Sequence, residues 1–183
     1  MDTDRLAWFN ELPGGAAQQV LLECCAAPGW AQQMAAARPY TCAEDAVAQS
    51  GAIVTALTIT DLATALAGHP RIGERRDARD GPVQAGTSQA GTGQAGDWSR
   101  REQSGVDPGD PATMRALADA NLEYERRFGH IYLVCASGRT GKELLEVVRD
   151  RLRNRPDDEW QVVRTELQKI NALRLQRLMA SEP

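Results

Sequence analysis

Apolar residues recur three and four positions apart along most of this chain, and Pro and Gly cut the pattern at short intervals. That spacing stacks apolar side chains on one stripe of an α-helix. The residues between them agree: Ala, Leu, Arg, Glu and Gln, all good helix formers, dominate, and Ala alone supplies 28 of 183 positions. Most of the chain therefore reads as helix, and its length supports one domain with a sizeable core.

Local signals divide the helical pattern into segments. Thr3 or Asp4 can cap a short helix through Trp8 and Phe9 that stops before Pro13-Gly14-Gly15. A second helix carries Val20, Leu21 and Cys24 on one face and ends before Pro28-Gly29, and a third runs from Trp30 to Ala37, closed by Pro39. Thr41-x-x-Glu44 has capping-box spacing, in which the hydroxyl accepts a helix N–H and the carboxylate reaches back, and it opens a segment to about Leu57. Thr60 or Asp61 starts a short helix that Gly68-His69-Pro70 terminates. Asp110 before Pro111 opens a helix through Leu117, Leu122 and Tyr124 toward Phe128-Gly129. The bulky apolar run Ile131-Tyr132-Leu133-Val134-Cys135 reads as a buried extended segment, and Thr140-x-x-Glu143 as a second capping box opening a helix to about Arg155. Pro156 with Asp157, Asp158 and Glu159 starts the last helix, where Val163, Leu167, Ile170 and Arg174 share a face.

From Arg79 to Asp97 the periodicity dissolves. The pentad Gln84-Ala85-Gly86-Thr87-Ser88 is nearly repeated from Gln89 to Gly93 and begun again at Gln94, with no large side chain after Val83. Such a stretch cannot offset its ordering entropy by burial, so it reads as a long flexible surface loop.

Composition narrows the function. With 25 acidic against 21 basic residues, the net charge of −4 argues against a dedicated nucleic-acid binder. His69 and His130 are the only imidazoles, which excludes a His-rich metal site. Cys24, Cys25, Cys42 and Cys135 form no C-x-x-C pair and read as small thiols in a reducing compartment. No apolar run approaches the ~20 residues that span a bilayer. The start Met1-Asp2-Thr3-Asp4 lacks a basic, then apolar, leader, so a cytoplasmic location is expected.

Five segments are candidates for chemistry. Ser137-Gly138-Arg139-Thr140-Gly141-Lys142 follows the apolar run as a phosphate loop would, but two residues rather than four separate its glycines, and Glu143 would repel phosphate. His69-Pro70-Arg71-Ile72-Gly73-Glu74 lies at a helix end, where an imidazole often only complements the dipole. Trp98-Ser99-Arg100-Arg101-Glu102-Gln103 holds a third capping-box spacing, and folding the intervening loop away would let His69 and Glu102 meet as an imidazole and carboxylate pair. Tyr124 and Phe128, four apart, suit a core face. Arg174 sits among Ile170, Leu173 and Leu178, either snorkelling outward or held inward to grip an anion or carbonyl.

Taken together, the order and spacing of these blocks resemble the OHCU decarboxylase family, enzymes that decarboxylate 2-oxo-4-hydroxy-4-carboxy-5-ureidoimidazoline in urate breakdown. The resemblance is carried by Phe9-Asn10-x-Leu12, Pro28-Gly29-Trp30, His69-Pro70-x-Ile72-Gly73, Ser99-x-x-Glu102-Gln103, Asn121-x-x-Tyr124, Phe128-Gly129, and Lys169-Ile170 with Leu173-Arg174-Leu175. It implies an all-α fold, here a single-domain bundle of about eight to nine helices over residues 1–183 with the flexible loop at about 79–97, commonly as a homodimer. It also implies a reaction without metal or organic cofactor, with His69 as catalytic residue and Glu102 as its partner. Pro70, the stretch Ser99, Arg100, Arg101, Glu102 and Gln103, and the backbone of Tyr132, Leu133, Val134, Cys135 and Ala136 would shape the pocket, and Arg174 would bind ureido or carbonyl oxygens. A functional link to urate oxidase and hydroxyisourate hydrolase follows from the same resemblance. The family's frequent Phe-Gly-Phe is Phe128-Gly129-His130 here, and the loop before Glu102 is longer than usual. An enzyme acting on another ureido or hydantoin compound, and a helical interaction module without catalysis, remain open on the residues alone.

Overall fold

The computed structural model describes residues 5–72, 94–102 and 110–180, apart from the side chains of residues 94, 95 and 100. Expectations on Thr3, Asp4, Gln103 and positions 79–93 lie outside the described residues. Nine helices occur there and no strand: α1 Arg5–Glu11, α2 Gly14–Cys24, α3 Pro28–Ala36, α4 Ala43–Ala56, α5 Ile59–Ala67, α6 Gln94–Glu102, α7 Pro111–Phe128, α8 Gly141–Arg151 and α9 Pro156–Met179. The all-helical expectation is met. No described helix is long and apolar enough to cross a membrane.

The chain divides into two compact units, one of Met1–Ala65 with Gln161–Pro183 and the other of Leu66–Trp160. In the first, α2 packs on α3 and α3 on α4, around buried Phe9, Leu21, Trp30, Met34, Leu62 and Leu167. Its early motifs have structural work. The Asn10 carboxamide donates to the Tyr40 carbonyl at 2.8 Å and accepts from the Tyr40 N–H at 2.9 Å, joining α1 to the turn before α4. Arg38 donates to the carbonyls of Phe9 and Leu12, both at 2.7 Å, satisfying acceptors that the end of α1 leaves open. Pro28 occupies the first turn of α3, and the Trp30 indole donates to Ser50 on α4 at 3.1 Å. Arg164 and Gln168 of α9 donate to carbonyls of Val54 and Gly51 at 2.8 and 3.0 Å, tying that helix to α4.

In the second unit α7 packs on α8. Leu117, Ala120, Tyr124, Tyr132, Val134, Leu144 and Val148 form its core. Asp110 caps α7 by accepting from the N–H groups of Ala112 and Thr113 at 3.1 and 3.2 Å, and Gly129 ends it in the left-handed conformation at φ 77°, where a Cβ would add strain. Thr140 and Glu143 form the expected capping box at the start of α8. The Glu143 carboxylate accepts from the Thr140 N–H at 2.7 Å, which sets a negative charge beside the start of α8 that would repel a phosphate.

Three helix starts differ from expectation. The cap of α4 is Cys42, without a side-chain bond, because the Thr41 hydroxyl pairs with Asp45 instead of a helix N–H. α5 is opened by Thr58, whose hydroxyl accepts from the Asp61 N–H at 3.2 Å while Asp61 accepts from the Thr58 N–H at 3.1 Å. Ser99 opens no helix: α6 starts five residues earlier at Gln94, so Gln94–Asp97, read as loop, are helical. Val20 also departs, being only half-buried while Ala17, Leu21 and Cys24 form the buried face of α2.

Candidate active site

His69 follows the last turn of α5. Its N–H donates to the Leu66 carbonyl at 2.9 Å, and Pro70 prevents the helix from continuing. The side chain is buried, 8% exposed. Glu102 is the last residue of α6 and is also buried at 6%, as are Trp98 and Ser99. Positions 98, 99 and 102 fall on one face of a helix, and a wholly buried carboxylate needs charged or donating partners. Neither His69 nor Glu102 is without a partner. The second unit thus buries both members of the expected imidazole and carboxylate pair.

The rest of the stretch divides by helix geometry. Arg101 lies on the exposed face of α6, Ser99 on the buried one. The Ser99 N–H lies in the second turn of α6, where an α-helix uses it internally, so it is not a free donor at a helix start. Pro70 is half-buried beside His69. Residues 131–136 are neither helix nor strand; Tyr132, Leu133, Val134 and Ala136 are buried, Cys135 half-buried. Such a strip leaves backbone N–H and C=O groups that no helix or sheet consumes.

A charged cluster that periodicity did not reveal holds this strip. Arg151 at the end of α8 donates from Nη1 to the Leu133 carbonyl at 2.6 Å, and from Nε and Nη2 to Glu159 at 2.8 and 2.5 Å. Its guanidinium lies 4.9 Å from the Tyr132 ring centroid. The Tyr124 hydroxyl also donates to Glu159, and Asn154 donates to the second carboxylate oxygen at 2.7 Å. Burial pushes the Tyr124 hydroxyl far above its ordinary range, so it remains a donor. The signal was register: Glu159 precedes Val163, Leu167, Ile170 and Arg174 on the same face of α9, so a buried charge stands at each end of the apolar stripe.

His130 packs against Trp160 with ring centroids 4.2 Å apart and edge-on to Tyr124 at 5.5 Å. Burial lowers its pKa from the usual 6.5. The second imidazole is therefore part of an aromatic cluster. Among the described residues no group of three His, Cys, Asp or Glu side chains is placed to hold a metal ion.

Arg174 belongs to the first unit. It is held inward, 2% exposed, and donates to the Cys24 carbonyl at 3.0 Å. Burial raises the pKa of neighbouring Cys25, and Asn171 and Arg174 partly oppose that rise.

A sequence profile described as OHCU decarboxylase matches residues 10–176, nearly the whole chain and every block that carried the resemblance except Phe9. The chain belongs to the OHCU decarboxylase family. A 2-oxo-4-hydroxy-4-carboxy-5-ureidoimidazoline decarboxylase from Amia calva is 30% identical over 145 residues, covering 78% of this chain and 75% of that protein. The uric acid degradation bifunctional protein of Arabidopsis thaliana is 31% identical over 163 residues. The match covers 87% of this chain but 46% of the plant protein, so the chain spans about half of that relative's length. A crystal structure of an OHCU decarboxylase in the presence of (S)-allantoin superposes with a TM-score of 0.66 at 25% identity, covering 86% of this chain and 95% of that one. An (S)-allantoin synthase shares the fold at a TM-score of 0.67 and 13% identity, over 96% of this chain and 53% of that one.

Proposed function

We infer that this chain decarboxylates 2-oxo-4-hydroxy-4-carboxy-5-ureidoimidazoline to (S)-allantoin in urate degradation, as a carboxy-lyase needing no cofactor. Family membership sets the reaction, and one observation carries the assignment of its residues: an imidazole and a carboxylate, both from family motifs, are buried in the same compact unit. Breaking the bond to the carboxylate expels carbon dioxide and leaves an electron pair on a carbon that bears a hydroxyl and adjoins an imine-like ring carbon. That pair moves onto the ring nitrogen, so the substrate supplies its own sink and a cofactor is not required for the purpose. The protein must hold the leaving carboxylate in a productive orientation, take the hydroxyl proton as that carbon becomes a carbonyl, and protonate one face of the neighbouring ureido-bearing ring carbon.

His69 is the proton-exchanging group, because an imidazole ordinarily titrates near 6.5, about where such transfers are efficient at neutral pH. Glu102 orients the ring. Pro70 and the buried face of α6 at Ser99 shape the pocket with Arg100, Arg101 and Gln103, and the backbone of Tyr132–Ala136 offers donors and acceptors. Arg174 presents a planar fork suited to ureido or carbonyl oxygen. The chain acts as one domain in the cytoplasm, as a homodimer, on product handed down from urate oxidase and hydroxyisourate hydrolase.

Variants His69→Asn and Glu102→Gln test the assignment, since both keep approximate shape. His69→Asn should abolish enzymatic turnover, and Glu102→Gln should lower kcat by about 10²-fold, within the range of general acid–base contributions. Full activity in folded His69→Asn would remove the imidazole from the mechanism.

A further inference from the structure

Two side chains one turn apart on α7 reach back to consecutive residues of the turn that carries His69. Glu125 receives the Arg71 guanidinium through two parallel bonds, Nε to Oε1 at 2.6 Å and Nη2 to Oε2 at 2.9 Å. Asn121 donates from Nδ2 to the Ile72 carbonyl at 2.9 Å. On the other side of His69, the end of α5 holds its N–H. Residues 69–72 lie outside any helix, so these attachments fix the path of the backbone rather than a hydrogen-bond ladder of its own.

The two attachments differ in kind. Asn121 is buried, and its Oδ1 has no hydrogen-bond partner among the described residues, where the carboxamide acts as a donor to Ile72. The Arg71 and Glu125 side chains are 46% and 22% exposed. A pair at that exposure adds little to global stability, whereas its bidentate geometry fixes direction. The contribution expected of it is local: it decides where the turn sits.

We propose that Arg71, Glu125 and Asn121 form a clamp on α7 that positions the His69 imidazole. Arg71, which lies between the motif residues Pro70 and Ile72, is a positioning residue acting through the backbone. The proposal rests on the reading of His69 as the catalytic imidazole. A misplacement of about 1 Å in a reacting geometry can lower a rate by roughly 10²-fold, so a weak surface pair can matter to turnover while leaving the fold intact.

The test uses Arg71→Glu, Glu125→Arg and the double variant that exchanges the two charges, with Arg71→Gln as a milder single change. Steady-state kcat and KM are measured together with the thermal midpoint. The imidazole signals of His69 and His130, the only two in the chain, are followed by NMR and assigned with His69→Asn. Each single variant should lower kcat by about 10- to 100-fold with a smaller change in KM. It should displace the His69 signal, leave that of His130 in place and shift the midpoint little. The exchanged pair should recover most of the kcat and return the His69 signal. Undiminished kcat and an unmoved His69 signal in the single variants would overturn the clamp. So would an exchanged pair no better than the singles, which would make Arg71 a direct ligand of the substrate. If His69→Asn keeps its turnover while the His69 signal still responds to the clamp variants, the catalytic reading fails and the positioning geometry stands.

Discussion

Replacing Arg151 with methionine keeps an unbranched stem and removes every polar contact the side chain makes. The fully buried Glu159 carboxylate then loses the two N–H donors at 2.8 and 2.5 Å and keeps only the Tyr124 hydroxyl and the Asn154 amide. The Leu133 carbonyl loses its donor at 2.6 Å. Removing one member of a buried ion pair typically costs about 3–5 kcal/mol, because the remaining charge stays desolvated. For a chain of this length each kcal/mol corresponds to roughly 2–4 °C, so the thermal midpoint of Arg151→Met should fall by about 6–20 °C. A global stability of about 10 kcal/mol, the middle of the usual range, leaves the variant folded at 25 °C. The double variant Arg151→Met/Glu159→Leu removes the orphaned charge as well and should be more stable than Arg151→Met alone, since apolar replacement of a whole buried pair is often neutral. Thermal and urea unfolding followed by far-ultraviolet circular dichroism give both values. A loss below about 1 kcal/mol for Arg151→Met, or a double variant destabilised by the sum of its parts, would refute the view that desolvated charge dominates this cluster.

Two further substitutions probe local claims. Gly129→Ala places a Cβ at φ 77° in the end of α7 and should lower stability by about 1–2 kcal/mol in urea unfolding; an unchanged midpoint would mean that the turn relaxes. His130→Phe tests the half-buried imidazole. Burial holds its folded pKa below the unfolded value of about 6.5, so the unfolded chain binds the proton more tightly and stability falls as pH drops through 6.5. Phe packs against Trp160 without titrating, so the midpoint of the variant should fall less between pH 7.5 and 5 than that of the native chain, and parallel curves would exclude the effect.

What could be read from sequence follows from how local each determinant is. Asp110 with Pro111, and Thr140 with Glu143, place all their partners within four residues, and both helix starts formed as read. Thr41 has the same spacing but a better acceptor in Asp45, which diverts its hydroxyl. Ser99 and Glu102 have it because both lie on the buried face of a helix already under way, a periodicity that capping-box spacing imitates. His69 was placed correctly because Gly68 and Pro70 terminate α5 around it. The Arg151–Glu159 pair was missed because reading stripes counts apolar residues, and each charge stands at the end of its helix, in register with the stripe but outside its apolar run. The clamp on His69 joins residues 54 positions apart, a separation that no local pattern encodes.

The central claim, decarboxylation of the ureidoimidazoline to one enantiomer, is tested most directly in a coupled reaction. Urate is supplied with urate oxidase and hydroxyisourate hydrolase, and the circular dichroism of allantoin is followed with and without the chain. The native protein should accelerate the appearance of the (S)-allantoin signal in proportion to its concentration, and His69→Asn should return the rate and the optical purity to those of the spontaneous reaction. Racemic product forming at the uncatalysed rate in the presence of folded native protein would contradict the account.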